Sequence, residues 1–462
     1  MHGWLPITVQ VVAVVALVGA IGWRNRRWRL VWVPWAVLVG FTVSVVTFWY
    51  IASHGLSDDS NPAPDGLWIW IGLTGIAAGV LIAGWRGARW KRRTASVLAL
   101  PLCLLCSALA LNLWVGYFPT VASAWNQLTA GPLPDQTDSV TVTAMQQQHT
   151  IPPKGTVVPV DIPNTASGFK HRGELVYLPP AWYAANPPPP LPTVMLIGGE
   201  FNTPADWVRA GNAVNTLDDF AAAHGGNAPV FIFVDSGGAF NNDTECVNGP
   251  RGMAADHLTK DIVPFMVSRY GVSPNRVNWG VAGWSMGGTC AVDLTVMHPD
   301  MFAVFEDISG DLAPNSGNKA QTIERLFGGN TAAYTAFDPT TVIARHGPYT
   351  GIYGRFDIHG APAAPAKVVN ADNTAVGMRG REGAGNPNDQ ASAANSLCAV
   401  GGANGIKCAV VTLPGKHDWP FASHAFAAAL PWMASQLGTP GVPMVPLAGT
   451  PASAPIVKAA GK

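Results

Sequence analysis

Charge is the first thing this sequence lacks. Only 12% of its 462 residues are Asp, Glu, Lys or Arg, and 28 basic residues balance 28 acidic ones. Without a basic surplus it has no electrostatic footprint for nucleic acid, which is excluded as a partner. Lys and Arg are missing altogether between Arg93 and Lys154. Neither precedes the first apolar run, and its basic cluster comes after it, so that run is not a signal peptide. Four long apolar runs also lack Asp, Glu, Lys and Arg in their interiors, where ionisable groups would mark an ion or proton path. An anchor or packing module is expected there instead of a channel.

Those runs cover about residues 5–22, 30–52, 67–85 and 95–118, near the ~20 residues a helix needs to cross a bilayer. Twelve of the eighteen Trp lie before residue 126. Trp4, Trp23, Trp49, Tyr50, Trp68, Trp85, Trp114 and Tyr117 stand at run ends, where an aromatic belt belongs. The first loop carries Arg24, Arg26, Arg27 and Arg29, and the third Arg86, Arg89, Lys91, Arg92 and Arg93. The second carries Asp58, Asp59 and Asp65 and no base. The positive-inside rule then makes loops one and three cytoplasmic and puts both termini outside. The expectation is a multi-pass membrane protein whose later part is extracytoplasmic.

Four domains are expected: a four-helix transmembrane domain at 1–125, a polar linker at 126–150, an α/β domain at 151–437, and a disordered Pro/Ala-rich tail at 438–462. In the α/β part, short apolar runs alternate with helical stretches. Candidate strands are 174–178, 193–197, 230–234, 276–282, 303–308, 350–353 and 407–413. Candidate helices are 254–270, 287–298, 389–400 and 421–437.

Gly283-Trp284-Ser285-Met286-Gly287 fits G-x-S-x-G between a candidate strand and a candidate helix, the setting of a nucleophile elbow. The flanking glycines leave room for a turn that pushes the Ser side chain out. The following helix N-terminus favours developing negative charge. The bland alternative is a Gly-rich turn with a passive Ser. With the order Ser, acid, His, His417 in "TLPGKHDWPF" is the candidate base, ahead of His424, which lies inside a helical stretch. The candidate acid is Asp357 in "PYTGIYGRFD", after a candidate strand; the alternative is Asp389, equally suited to cap a helix. Oxyanion donors are expected from the backbone of Met286 and Glu200, with Phe201 as the alternative to Glu200.

Cys398 and Cys408 flank a Gly-rich turn and are expected to pair if they lie outside the cytoplasm; the state of Cys246 and Cys290 is left open. Cys103-x-x-Cys106 has redox or zinc spacing but sits in an apolar run, where two small apolar residues are the simpler account. Asp256-His257 and His417-Asp418 have no matching cluster in the sequence, so no metal and no cofactor are expected.

"GWSMGG", the "HPDMF" after its helix and "PGKHDWPFASHAF" resemble the esterase branch of the α/β-hydrolases, which includes esterase D-like enzymes, feruloyl esterases and secreted actinobacterial mycolyltransferases. The resemblance runs over about residues 155–437. It implies an α/β-hydrolase fold, a mostly parallel sheet with helices on both faces, preceded here by the four transmembrane helices. It implies Ser285 as nucleophile and His417 as base, and through Gly354-Arg355-Phe356-Asp357 it favours Asp357 as acid. The expected function is a membrane-anchored serine esterase or acyltransferase that works through an acyl-enzyme on lipid or glycolipid esters of the cell envelope. The alternative is a non-catalytic envelope or transport-accessory protein with a degenerate hydrolase domain.

Overall fold

The structure is a computed structural model. It describes residues 4–54, 63–86, 88–115, 117–118, 120–121, 124–125, 129, 133–361, 367–370 and 389–450. The chain divides into two compact units, residues 1–130 with 417–419, and 131–416 with 420–462.

The first unit is helical. Its elements are α1 (Trp4–Ile21), α2 (Val33–His54, entered through a π-turn at Trp28–Trp32), α3 (Asp65–Gly84) and α4 (Trp90–Val115). All four are long and apolar enough to cross a membrane. Small residues let α2 and α3 touch backbone to backbone. A Cβ on Gly40 would stand 2.4 Å from the Gly72 carbonyl oxygen, and one on Gly75 would stand 2.7 Å from the Gly40 Cα. Arg24 donates to the carbonyls of Ala20 and Gly84, so a cation sits at the C-terminal ends of α1 and α3, where the helix dipole favours one. Cys103 and Cys106 are buried free thiols in this unit's core.

The second unit is built on a nine-stranded sheet. Its strands are β1 (Thr156–Val160), β2 (Glu174–Leu178), β3 (Thr193–Ile197), β4 (Val230–Val234), β7 (Trp279–Trp284), β8 (Val304–Ile308), β9 (Tyr353–Gly360), β10 (Lys367–Asn370) and β11 (Lys407–Pro414); a separate ribbon holds β5 (Asn248–Gly249) and β6 (Gly252–Met253). The order is β1-β2-β4-β3-β7-β8-β9-β11-β10. From β4 to β11 all neighbours are parallel, while β1, β2 and β10 join antiparallel. Parallel neighbours need crossover connections, and helices provide them: α6 (Pro204–Arg209), α7 (Ala213–Ala223), α8 (residues 254–270), α9 (Met286–Met297), α10 (Lys319–Phe327), α11 (Thr331–Phe337), α12 (Pro339–His346) and α13 (Gln390–Ala403); α14 (Trp419–Gln436) follows the last strand. The central strands β2, β3, β4, β7 and β8 are buried at every residue, so they show no alternation and are mostly short apolar runs, with Glu174 in β2 and Glu306 and Asp307 in β8 as buried acids. This is the α/β-hydrolase architecture.

Several expected elements shift. Residues 276–278 form a 3₁₀ turn, and the strand there runs 279–284, up to Ser285. The strand expected at 350–353 is β9, which runs on to Gly360, so Asp357 lies inside a strand and not after it. The stretch expected as a linker holds α5 (Ser139–Gln147), capped by Asp138, whose Val142 is in the core. Of the tail, residues 438–450 are described, and Val445 bonds back to the Ser435 hydroxyl; residues 451–462 lie outside the described residues.

Disulfides join Cys246 to Cys290 and Cys398 to Cys408. The first ties the 243–247 loop to the second turn of α9. The second ties α13 to β11.

Candidate active site

The carboxyl ends of the parallel strands share one level. Ile197 of β3 pairs with Gly283 of β7, Trp284 with Ile308 of β8, and Ile308 with Asp357 of β9. Ligands of open α/β sheets bind at this edge. Ser285 stands on it, between β7 and α9, with φ 57° and ψ −120°. A non-glycine residue at positive φ is costly and persists only where its surroundings over-determine it. Here they do. The Ser285 N–H is held by the Ile308 carbonyl, and the Ser285 carbonyl accepts from Gly288 and Thr289. The two flanking glycines are obligatory: a Cβ on Gly283 would stand 2.0 Å from the Gly287 carbonyl oxygen, and one on Gly287 would stand 2.4 Å from that of Ile197. The G-x-S-x-G spacing is thus the spacing at which β3, the turn and α9 must touch.

Met286 is the first residue of α9, so its N–H belongs to the donor set of a helix N-terminus. The loop after β3 passes close by; a Cβ on Gly199 would lie 3.2 Å from the Ser285 Cβ. Gly199 gives its own N–H to the Asn202 side chain, which disqualifies it as an oxyanion donor. Phe201, in this loop after β3, has φ 66° and is a second strained residue at this edge of the sheet. Arg172 fixes this loop by forking Asp235, at the end of β4, and donating to the Asn202 carbonyl at 2.7 Å. Burial pushes the Asp235 carboxyl up, but hydrogen bonds and charge from Arg172 outweigh it and hold it below the usual range.

The Glu200 side chain belongs to an acidic group that sequence reasoning missed. Burial and Asp243 push its carboxyl up to about 8, against the pull of Arg251. Asp243 is pushed up to about 6 by burial, again against Arg251. Glu245 is raised well above its ordinary value by burial and then by Asp243, Asp311, Glu200 and Asp293. Residues 200, 243, 245 and 293 are too scattered in the chain to signal one another.

His417 follows β11 in the turn that leads into α14. Asp357 is fully buried and forked by Arg355, with Nε at 2.7 Å and Nη2 at 2.8 Å from its two oxygens. Burial raises the Asp357 carboxyl, and Arg355 and His424 draw it back. Glu306, across the strand pair from Arg355, is also fully buried and is raised well above its ordinary value by burial and by Asp357. One guanidinium therefore lies by two carboxyl groups, Asp357 on its own strand and Glu306 on the neighbouring β8. Asp389 caps α13, accepting from the Ser392 N–H. Ser309 at the end of β8 has φ 51°, and its hydroxyl lies 3.2 Å from His359 Nδ1; neither was singled out from the sequence.

A family model described as "Putative esterase" matches residues 170–433, more than half of the chain. The chain belongs to the esterase family. It is an enzyme of ester chemistry, a serine ester hydrolase or acyltransferase. An uncharacterized protein of Corynebacterium glutamicum is 28% identical over 422 residues, covering 88% of this chain and 92% of its own. The MPT51 antigen of Mycobacterium leprae is 27% identical over 139 residues, 28% of this chain and 43% of its own. Among solved structures, an S-formylglutathione hydrolase from Agrobacterium tumefaciens aligns with TM-score 0.47 at 16% identity, over 62% of this chain and 96% of its own.

Proposed function

We propose that this enzyme is anchored by its four N-terminal helices and cleaves or transfers acyl esters of envelope lipids or glycolipids on the outer side of the membrane. Ser285 attacks the acyl carbonyl, and His417 takes its proton and later returns it to the leaving or accepting oxygen. Asp357 orients His417. The N–H groups of Met286 and Glu200, or Phe201 in place of Glu200, receive the oxyanion. Water as acceptor gives hydrolysis; a sugar or lipid hydroxyl gives transfer. The observation that carries this reading is Ser285 itself, strained at φ 57° on the turn that opens α9. The outside location rests on nine Lys and Arg in the first and third loops against none in the second.

The test is a fluorophosphonate probe applied to the detergent-solubilised full chain. A single modified peptide containing Ser285 is expected, and no labelling at Ser285 would overturn the mechanism. Location is tested separately by a C-terminal phosphatase fusion that is active only when exported. An inactive fusion, with a bright green fluorescent fusion at the same point, would place the enzyme in the cytosol.

The fork of Arg355 on both oxygens of Asp357 favours a second assignment of the acid alone. In that version Asp357 balances Arg355, and another carboxylate orients His417.

A further inference from the structure

The sequence offered His257 no metal-binding company, but the fold does. His171, just before β2, Glu174, the first residue of β2, and His257 on α8 bring their ligand atoms within 4.8 Å of one another. His171 Nδ1 stands 3.0 Å and His257 Nε2 3.1 Å from the same oxygen, Glu174 Oε1. All three side chains are buried, at 7%, 0% and 0% exposure. Glu174 Oε2 and His171 Nδ1 are buried with no hydrogen-bond partner. The His171 nitrogen is close to the carboxylate without being aligned to donate to it.

We propose that His171 Nδ1, His257 Nε2 and the Glu174 carboxylate bind a divalent transition-metal ion, with zinc the expected occupant. Three arguments converge. Zinc–ligand bonds of ~2.0–2.2 Å put the donor atoms of a tetrahedral site about 3.3 Å apart, close to the separations seen here. The other nitrogen of His257, Nδ1, lies 3.2 Å from Asp261 Oδ2. Asp261 is itself held by the Ser167 hydroxyl and the Ala166 N–H. A carboxylate on the far nitrogen fixes the tautomer and orientation of a metal-bound histidine. An unsatisfied acceptor gives the third argument. Glu174 is fully buried and its Oε2 has no hydrogen-bond partner; a cation held between the two imidazoles would satisfy it.

Two imidazole nitrogens and one carboxylate oxygen suit zinc, with water or Glu174 Oε2 in the fourth position. The depth of burial makes the site structural. Arg172, which holds the 199–202 loop, is the residue next to His171, so a metal there would steady the strand entry that aims Arg172. The proposal stands on these side chains and is independent of the nucleophile assignment.

The full chain, purified in detergent through a tag without histidines, is stripped with chelator and reloaded with one equivalent of zinc or cobalt(II). We expect about one bound metal per chain by elemental analysis. The melting temperature should rise with zinc, since a ligand that binds only the folded state stabilises it. X-ray absorption should show an N/O shell with imidazole scattering. Glu174→Gln and His171→Ala should each lower the bound metal at least tenfold. No uptake by the wild type with unchanged melting would overturn the proposal. So would sulfur scattering, which would place the ion at Cys103 and Cys106, or full retention by folded Glu174→Gln. If the variants fail to fold, the absorption spectrum of the wild type still decides between histidine and cysteine ligands.

Discussion

In the helical unit, Gly40, Gly72 and Gly75 bring two backbones into contact, and the interiors of the apolar runs hold no Asp, Glu, Lys or Arg. In the esterase unit, Glu174, Asp235, Asp261, Asp293, Glu306, Asp307 and Asp357 are all buried. A helix facing lipid has no counter-charge to offer a buried ion, so it excludes ions and associates through close packing. The α/β unit can surround a carboxylate with guanidinium, imidazole and backbone N–H groups. It concentrates such groups around the carboxyl ends of its strands. Where that compensation is incomplete, as at Glu200, Glu245 and Glu306, burial raises the carboxyl. Among the described residues, the buried acids fall in the esterase unit, and perturbed carboxyl groups of this kind cluster at functional sites.

The sharpest way to test this contrast is Ser285→Ala. Ester turnover should fall by roughly 10⁶-fold, while circular dichroism and membrane insertion stay unchanged. Residual turnover of more than a few per cent would remove Ser285 from the mechanism.

Next comes the choice of acid. If Asp357 orients His417, Asp357→Asn should lower kcat by about 10⁴-fold, as expected for loss of the tautomer-fixing carboxylate. Asp389→Asn should cost only about 1 kcal/mol of capping in denaturant unfolding, with kcat intact. The reverse ranking would transfer the role to Asp389.

Arg355→Met asks what the buried charges contribute to stability. It strands Asp357 and Glu306, and a loss of about 3–5 kcal/mol is expected from chemical denaturation. An unchanged midpoint would mean that both carboxyl groups are already neutral.

For the helical unit the matching change is Gly40→Leu, which drives a side chain into the Gly72 carbonyl. A loss of about 2 kcal/mol in thermal unfolding in detergent is expected, with solubilised ester turnover within about twofold of wild type because Ser285 and Asp357 lie in the other unit. A collapse of turnover would show the two units to be energetically one.

The last test is of pH dependence. Glu200 has an ordinary value of 4.5 and a folded value of about 8. Its protonated form therefore favours the folded state; that contribution is complete below about 4.5 and is lost as pH rises through about 8. Melting temperature should fall over this interval, and Glu200→Gln should flatten the fall. An identical profile in the variant would assign the slope to other groups, with Glu245 the first to examine.

Much of the fold was legible because local signals agreed with it. The five-residue runs at 174–178, 193–197 and 230–234 are strands at those bounds, since a run buried on both faces needs no alternation to be recognised. β1 and β10 escaped: both join antiparallel at the two edges of the sheet, where a strand is chosen by its neighbour and not by its own composition. β9 was read too short because Arg355, Asp357 and His359 look like loop residues. Their polar side chains are accommodated by one another, by Ser309 and by α14, through a hydrogen bond from Arg355 to the Ala428 carbonyl.

By itself the sequence determined the four apolar helices, where along the chain the buried strands fall, and a serine between two glycines where a strand meets a helix. These are properties of consecutive residues, and hydrophobic period, chain length and turn geometry act over that range. Only the tertiary structure decided that Asp357 lies within a strand and is forked by Arg355, that Cys246 meets Cys290 on the helix after Ser285, and that His171 and Glu174 meet a histidine more than eighty residues away in the chain. Each of these depends on which strand lies beside which. That order is set by burying the whole sheet at once, and no short stretch of the chain records it.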